Sequence, residues 1–190
     1  ARAGELLRAY HEVEPQVERE QPTLAYRAVI PVALTRLAEH EGLELPAAAQ
    51  ASLADSLPSW RPFHEVRASL EDARARGWKL AILSNTDRDY IEASLELIDV
   101  PFDHVIVASE VGSYKPAPGH WDTFRAEVGP EEAGWVHVGA SLFHDIAPAA
   151  RLRIPNVWIN RLDEHPGPSP TRELPDLSGL PDTLDELVPA

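Results

Sequence analysis

Trp78-Lys79-Leu80-Ala81-Ile82-Leu83-Ser84-Asn85-Thr86-Asp87 is the stretch whose reading settles the fold class. Leu80 to Leu83 are four consecutive apolar residues, too few for an amphipathic helix but suited to a parallel strand buried on both faces. The run stops at Ser84, so Ser84, Asn85 and Thr86 bring hydroxyl and amide groups to the carboxyl end of that strand. Open α/β sheets bind their ligands at such ends. A strand ending in Ser-Asn ahead of a helix over 88–97 is equally a helix-capping signal.

Working outward, Val66, Leu70 and Ala73 mark a helix that ends at Gly77, directly before the strand. Beyond the helix 88–97 come an apolar run from His104 to Ala108, a helix over 119–127, a run from Trp135 to Val138, a helix over 143–152 and a run from Asn156 to Ile159. This alternation predicts an α/β fold, with strands near 79–84, 104–108, 135–139 and 156–160 lying parallel in one sheet and helices on both faces.

Residues 1–58 read differently, as a small all-helical unit with Leu6, Tyr10, Val13 and Val17 on one stripe and Tyr26, Val29, Ala33 and Leu37 on another. Pro22 can sit in the first turn of the second helix, whereas Pro31 is expected to kink or break it. Gly42 reads as a stop, and Pro46 opens a third helix through about Leu57. Pro58-Ser59-Trp60-Arg61-Pro62 marks a boundary, because two prolines in five residues favour an extended connection. The expected domains are therefore a helical unit at 1–58, an α/β core at 59–161 and a Pro-rich acidic tail at 162–190. That tail is expected to wrap the surface, with one short helix near Thr183 to Leu187.

Composition removes several function classes. A formal charge of −14 argues against a nucleic-acid partner, for which a basic stripe is the footprint. No apolar run is long enough to cross a membrane, and no secretory leader pattern is present. The absence of cysteine excludes disulfides, thiolate metal sites and cysteine nucleophiles, and fits a cytoplasmic location. The eight histidines show neither H-x-H nor H-E-x-x-H spacing, which gives a histidine-rich metal site no support.

Three further places carry possible chemistry. In Ser113-Tyr114-Lys115-Pro116-Ala117-Pro118 a small-residue turn and two prolines hold Lys115, either as a solvated loop cation or as an ammonium aimed at one point. In Val136-His137-Val138-Gly139-Ala140-Ser141-Leu142-Phe143-His144-Asp145 a buried strand ends in small residues, and Asp145 opens the next helix as a cap or as a site carboxylate. Arg161 follows the last strand and can bind an anion or pair with the tail.

Taken together these positions resemble the haloacid dehalogenase (HAD) superfamily of hydrolases. Leu83-Ser84-Asn85-Thr86 matches the family's second motif, Lys115-Pro116 its third, and Gly139-Ala140-Ser141 through Asp145 its fourth. The resemblance implies a three-layer Rossmann-like parallel-sheet core, with residues 1–58 as the inserted helical cap. It implies a covalent aspartyl intermediate in which Lys115, Ser84 and Asp145 are catalytic, and Asn85, Thr86, Ser141 and Arg161 bind a small anionic substrate. A lysine and hydroxyl donors beside a carboxylate nucleophile would offset the charge that develops on attack. Replacing Lys115 by Ala is then expected to leave the fold intact.

The sequence departs from the family pattern in two ways. The first motif, D-x-D-G-T or a close variant, occurs nowhere in residues 1–190, so the nucleophile and its strand are expected in a segment ahead of Ala1. Without it a strand-wide gap is expected between the Leu80–Ser84 strand and Trp135–Val138. In the fourth motif Ala140 stands where phosphatase members carry a metal-binding Asp, leaving Asp145 as the one candidate ligand for Mg²⁺ and predicting poor affinity. The dehalogenase branch, for its part, has Ser-Ser-Asn where Ala140, Ser141 and Leu142 stand, and a tyrosine where Trp121 stands. Dehalogenation and phosphate-ester hydrolysis both stay open, against a catalytically silent HAD-like binding protein as the alternative.

Overall fold

The computed structural model describes residues 2–129, 134–164, 167 and 169–189, so parts of the expected tail, at 165, 166, 168 and 190, lie outside the described residues. Helices α1 (Arg2–Glu20), α2 (Tyr26–His40), α3 (Ala47–Gln50) and α4 (Ser52–Ser56) and a 3₁₀ turn (Leu57–Ser59) open the chain. Tyr10 and Val17 of α1 pack on Val29, Ala33 and Leu37 of α2, and Ala108 and Tyr114 from farther along the chain join the same cluster.

Pro31 lies inside an unbroken α2, and Pro22 falls in the turn before it rather than in its first turn. The expected break is absent because Val29, Ile30 and Leu37 are buried. At roughly 1.5–3 kcal/mol each, their burial outweighs the ~3 kcal/mol penalty of an interior proline.

Next come α5 (Val66–Ala75), β1 (Ala81–Ser84), α6 (Arg88–Ile98), β2 (His104–Val107), α7 (Ala108–Val111) and α8 (Gly119–Val128). Then follow β3 (His137–Gly139), a π-helical turn (Leu142–Ile146) running into α9 (Ala147–Arg151), β4 (Asn156–Ile159), β5 (Arg172–Leu174) and α10 (Leu180–Leu187). The helix expected over 143–152 is thus two pieces of different pitch.

All strand pairs are parallel, as α/β alternation requires, but the strands form two sheets rather than one: β1-β2 and β3-β4-β5. Between them lies a cavity of about 1130 Å³, walled by Lys79 to Ser84 on one side and Trp135 to Ala140 on the other. Helical layers continue across both sheets: Ala73, Leu180 and Leu184 pack with Val157 and Ile159 on one face, and Trp121, Ala149 and Ile154 with Leu83 and Trp135 on the other.

The tail is also more structured than expected. Arg172-Glu173-Leu174 has no apolar run, yet its backbone pairs with β4 as the outermost strand. Helix α10 is tied to α5 by Arg76, which meets Asp182 at 2.7 Å and Asp185 at 2.8 Å, and Trp78 Nε1 donates to Asp185 at 2.9 Å.

Candidate active site

Asn85, just past β1, clasps the Lys115 loop by its main chain. Lys115 N donates to Asn85 Oδ1 at 2.6 Å, and Asn85 Nδ2 donates to Lys115 O at 2.9 Å. With its amide spent this way, Asn85 sets the height of Lys115 above the strand ends. Lys115 Nζ then donates to Asp145 Oδ1 at 2.7 Å, and both residues are buried, at 8% and 7% exposure. A burial this deep is tolerable for opposite charges only when they are paired and hydrogen-bonded.

Asp145 also accepts from His137 Nε2 at 3.2 Å and from the Ser141 backbone N–H at 3.2 Å. Burial alone would raise its pKa, but the Lys115 charge and the His137 contact outweigh that and hold the carboxyl well below the ordinary range. The cap of the π-helical turn is Ser141 instead, whose Oγ accepts from His144 N at 3.0 Å. Gly139 makes the carboxylate's position possible: a Cβ there would lie 2.4 Å from Asp145 Cβ.

Two histidines that sequence reasoning did not single out stand behind this pair. Trp121 Nε1 is donor-only and points at His137 Nδ1 at 3.4 Å, which leaves the proton of His137 on Nε2, facing Asp145. The fully buried His120 donates from Nε2 to the Ser84 carbonyl at 3.0 Å. Burial pulls the pKa of His120 down to about 4, helped by Lys115 and opposed by the Ser84 contact. The one sequence signal was the placement of His137 in an otherwise apolar strand.

A third set of contacts joins the helical unit to the strand ends. Glu18 of α1 is buried, and its oxygens lie 3.5 Å from Asn85 Nδ2 and 3.6 Å from His144 Nε2. Burial raises its pKa, against the lowering influence of His144. His144 Nδ1 is in turn 3.1 Å from Ser141 Oγ. Nothing in the local sequence of α1 distinguishes Glu18 from its acidic neighbours.

The remaining expected residues are dispersed. Ser84 lines the cavity, and the Thr86 carbonyl accepts from Ser109 N at 3.4 Å. Arg161 also lines the cavity but is committed to Glu65 and stacks on Phe63, with its guanidinium carbon 3.8 Å from the ring centre. Among the described residues no cluster of three His, Asp or Glu side chains could hold a metal ion. Among the described residues Asp145 is the carboxylate bonded to Lys115, and that pairing offsets its charge.

Residues 2–153 match the family model of the haloacid dehalogenase-like hydrolases. The chain is 31% identical over 153 residues to an (S)-2-haloacid dehalogenase of Pseudomonas sp. (strain YL), covering 78% of this chain and 66% of that protein. It is 30% identical over 103 residues to haloacetate dehalogenase H-2 of Moraxella sp. (strain B), covering 53% of this chain and 46% of that one. It therefore spans less than two thirds of the length of these relatives. Solved structures that share its fold include the L-2-haloacid dehalogenase RSc1362, with TM-score 0.86 and 22% identity over 97% of this chain and 87% of that one. Another is the L-2-haloacid dehalogenase of Xanthobacter autotrophicus with chloropropionic acid covalently bound, with TM-score 0.81 and 18% identity over 99% and 89%.

Proposed function

The chain belongs to the haloacid dehalogenase-like hydrolases, and on that footing we propose that this protein removes halide from a small 2-halo acid by way of an aspartyl ester. The observation that carries this reading is the buried Lys115–Asp145 pair beside the carboxyl ends of β1 and β3, the two strands that wall the cavity. A strand filling that cavity would deliver a carboxylate to the same end. The names of the two relatives, both dehalogenases, support the choice of leaving group.

In this reading a carboxylate oxygen attacks the halogen-bearing carbon, the carbon–halogen bond breaks and halide leaves. Water then adds to the ester carbonyl, releasing a 2-hydroxy acid and a proton and restoring the carboxylate. Lys115 has three N–H donors and spends one on Asp145, so two are left for the substrate anion. Asp145 fixes the ammonium, while Ser84 and Thr86 offer hydroxyls near the strand ends and Arg161 the guanidinium at the cavity wall. The scheme is written without a metal ion, with the Lys115 ammonium as the cation that faces the anion.

Full-length protein supplied with 2-chloropropionate is expected to release chloride at a rate unchanged by a chelator. Phosphate release from a phosphate monoester, dependent on added Mg²⁺ and without halide release, would replace this reading with a phosphatase. No turnover of either substrate would favour a binding protein.

A further inference from the structure

Glu18 lies on the helical unit, far in sequence from the strand-end motifs, yet its carboxylate faces residues just past two different strands: Asn85 after β1 and His144 after β3. Neither contact is a short hydrogen bond, at 3.5 Å and 3.6 Å, and His144 Nε2 is buried with no other partner among the described residues. Of the two neutral forms of the imidazole, one presents Nε2–H to the carboxylate and the other presents a lone pair. Setting a lone pair against a buried carboxylate leaves the charge uncompensated and is the costlier arrangement.

We infer that Glu18 is a positioning residue that holds His144 with its proton on Nε2 and thereby turns the Ser141 hydroxyl inward. With Nε2 protonated, His144 Nδ1 is an acceptor, and the partner 3.1 Å away is Ser141 Oγ. Ser141 donates its O–H to that nitrogen and accepts from His144 N at 3.0 Å. What Ser141 offers outward is a lone pair. It therefore holds a hydrogen-bond donor, such as the water that hydrolyses the ester, and does not hold the substrate anion, which is left to Lys115. The assignment of what Ser141 faces rests on the dehalogenase reading; the state of His144 does not.

The experiment separates the two. Nitrogen-15 NMR of selectively labelled histidine in the full-length protein at pH 8 reports which ring nitrogen of His144 carries the proton, with His144→Gln assigning the signal. The expected result is Nε2–H; Nδ1–H in the wild type overturns the inference whatever the Glu18 variants show. Glu18→Leu is expected to shift the population toward Nδ1–H, and Glu18→Gln, whose amide oxygen can still accept, to retain Nε2–H.

Kinetically, Glu18→Leu is expected to lower kcat by about tenfold, the equivalent of one hydrogen bond. KM should stay constant or fall, since a freed hydroxyl can then donate to the anion. A rise in KM with unchanged kcat would overturn the positioning role. Absence of halide release from the wild type would remove the dehalogenase reading while the NMR result still decides the state of His144.

Discussion

Lys115 and Asp145 are neutral together and costly apart. Removing one partner of a buried pair leaves an uncompensated charge, at roughly 3–5 kcal/mol. Lys115→Ala is therefore expected to lower kcat on the order of 10²-fold or more and also to destabilise the protein by about 3 kcal/mol. Adding Asp145→Asn should return most of the stability, measured by urea denaturation, and none of the activity. The same measurement on Lys115→Ala tests the expectation from the sequence that this variant keeps its fold. Full stability in the single variant would mean that the pair is solvated. His120 supplies a pH dependence. Its folded pKa of about 4 lies below the ordinary histidine value, so the unfolded chain binds the extra proton between about pH 6.5 and 4. The contribution is complete above pH 6.5 and is lost as pH falls through that window, roughly 3 kcal/mol in all. His120→Gln should flatten this part of the stability profile; an unchanged slope would assign it to other groups.

The helices and strands owe several of their ends to residues distant in the chain. Asp87 precedes α6, where a local reading makes it that helix's cap, but its side chain makes no such bond. Its carboxylate accepts from Tyr26 N and Arg27 N at 2.9 Å each and so caps α2, sixty residues away. Asp87→Ala is expected to cost about 2 kcal/mol, a typical figure for losing a charged cap. The loss should appear as a lowered urea midpoint and as faster amide exchange at the start of α2 rather than of α6. The same logic applies to Gly139, where the absence of a side chain lets Asp145 lie against the end of β3.

Across the whole molecule the dominant feature is the separation of two parallel sheets beneath shared helical layers. Strands that pair stand about 4.8 Å apart, whereas β1 and β3 belong to separate sheets and face the cavity, to whose walls α5, α8 and α10 also contribute. Their N–H and C=O groups are obligatory hydrogen-bonding groups. Residues 1–190 are expected to melt broadly by circular dichroism, because these facing edges are unpaired across the cavity. A cooperative, high-temperature transition from 1–190 alone would show that the two sheets are stable as they stand.

Apolar runs punctuated by Gly and Pro were enough to place the α/β alternation, the helical unit and the strand ends at Ser84 and Gly139, because each is a local pattern of burial and backbone preference. Lys115, Asn85 and Asp145 were legible as a group through the order of three short motifs. Their geometry was not: that Asn85 clasps a backbone, that Asp145 is an ion-pair partner rather than a cap, and that His137, His120 and Glu18 stand around them. Local pattern also left open a break at Pro31 that packing does not permit, and it missed β5, which backbone pairing makes without an apolar run. Periodicity and turn chemistry are properties of neighbours along the chain and can be read from it. Which buried charge meets which partner depends on contacts across 30 residues for Lys115 with Asp145 to 126 for Glu18 with His144, and those exist only once the sheets, the cavity and the helical unit have been brought together.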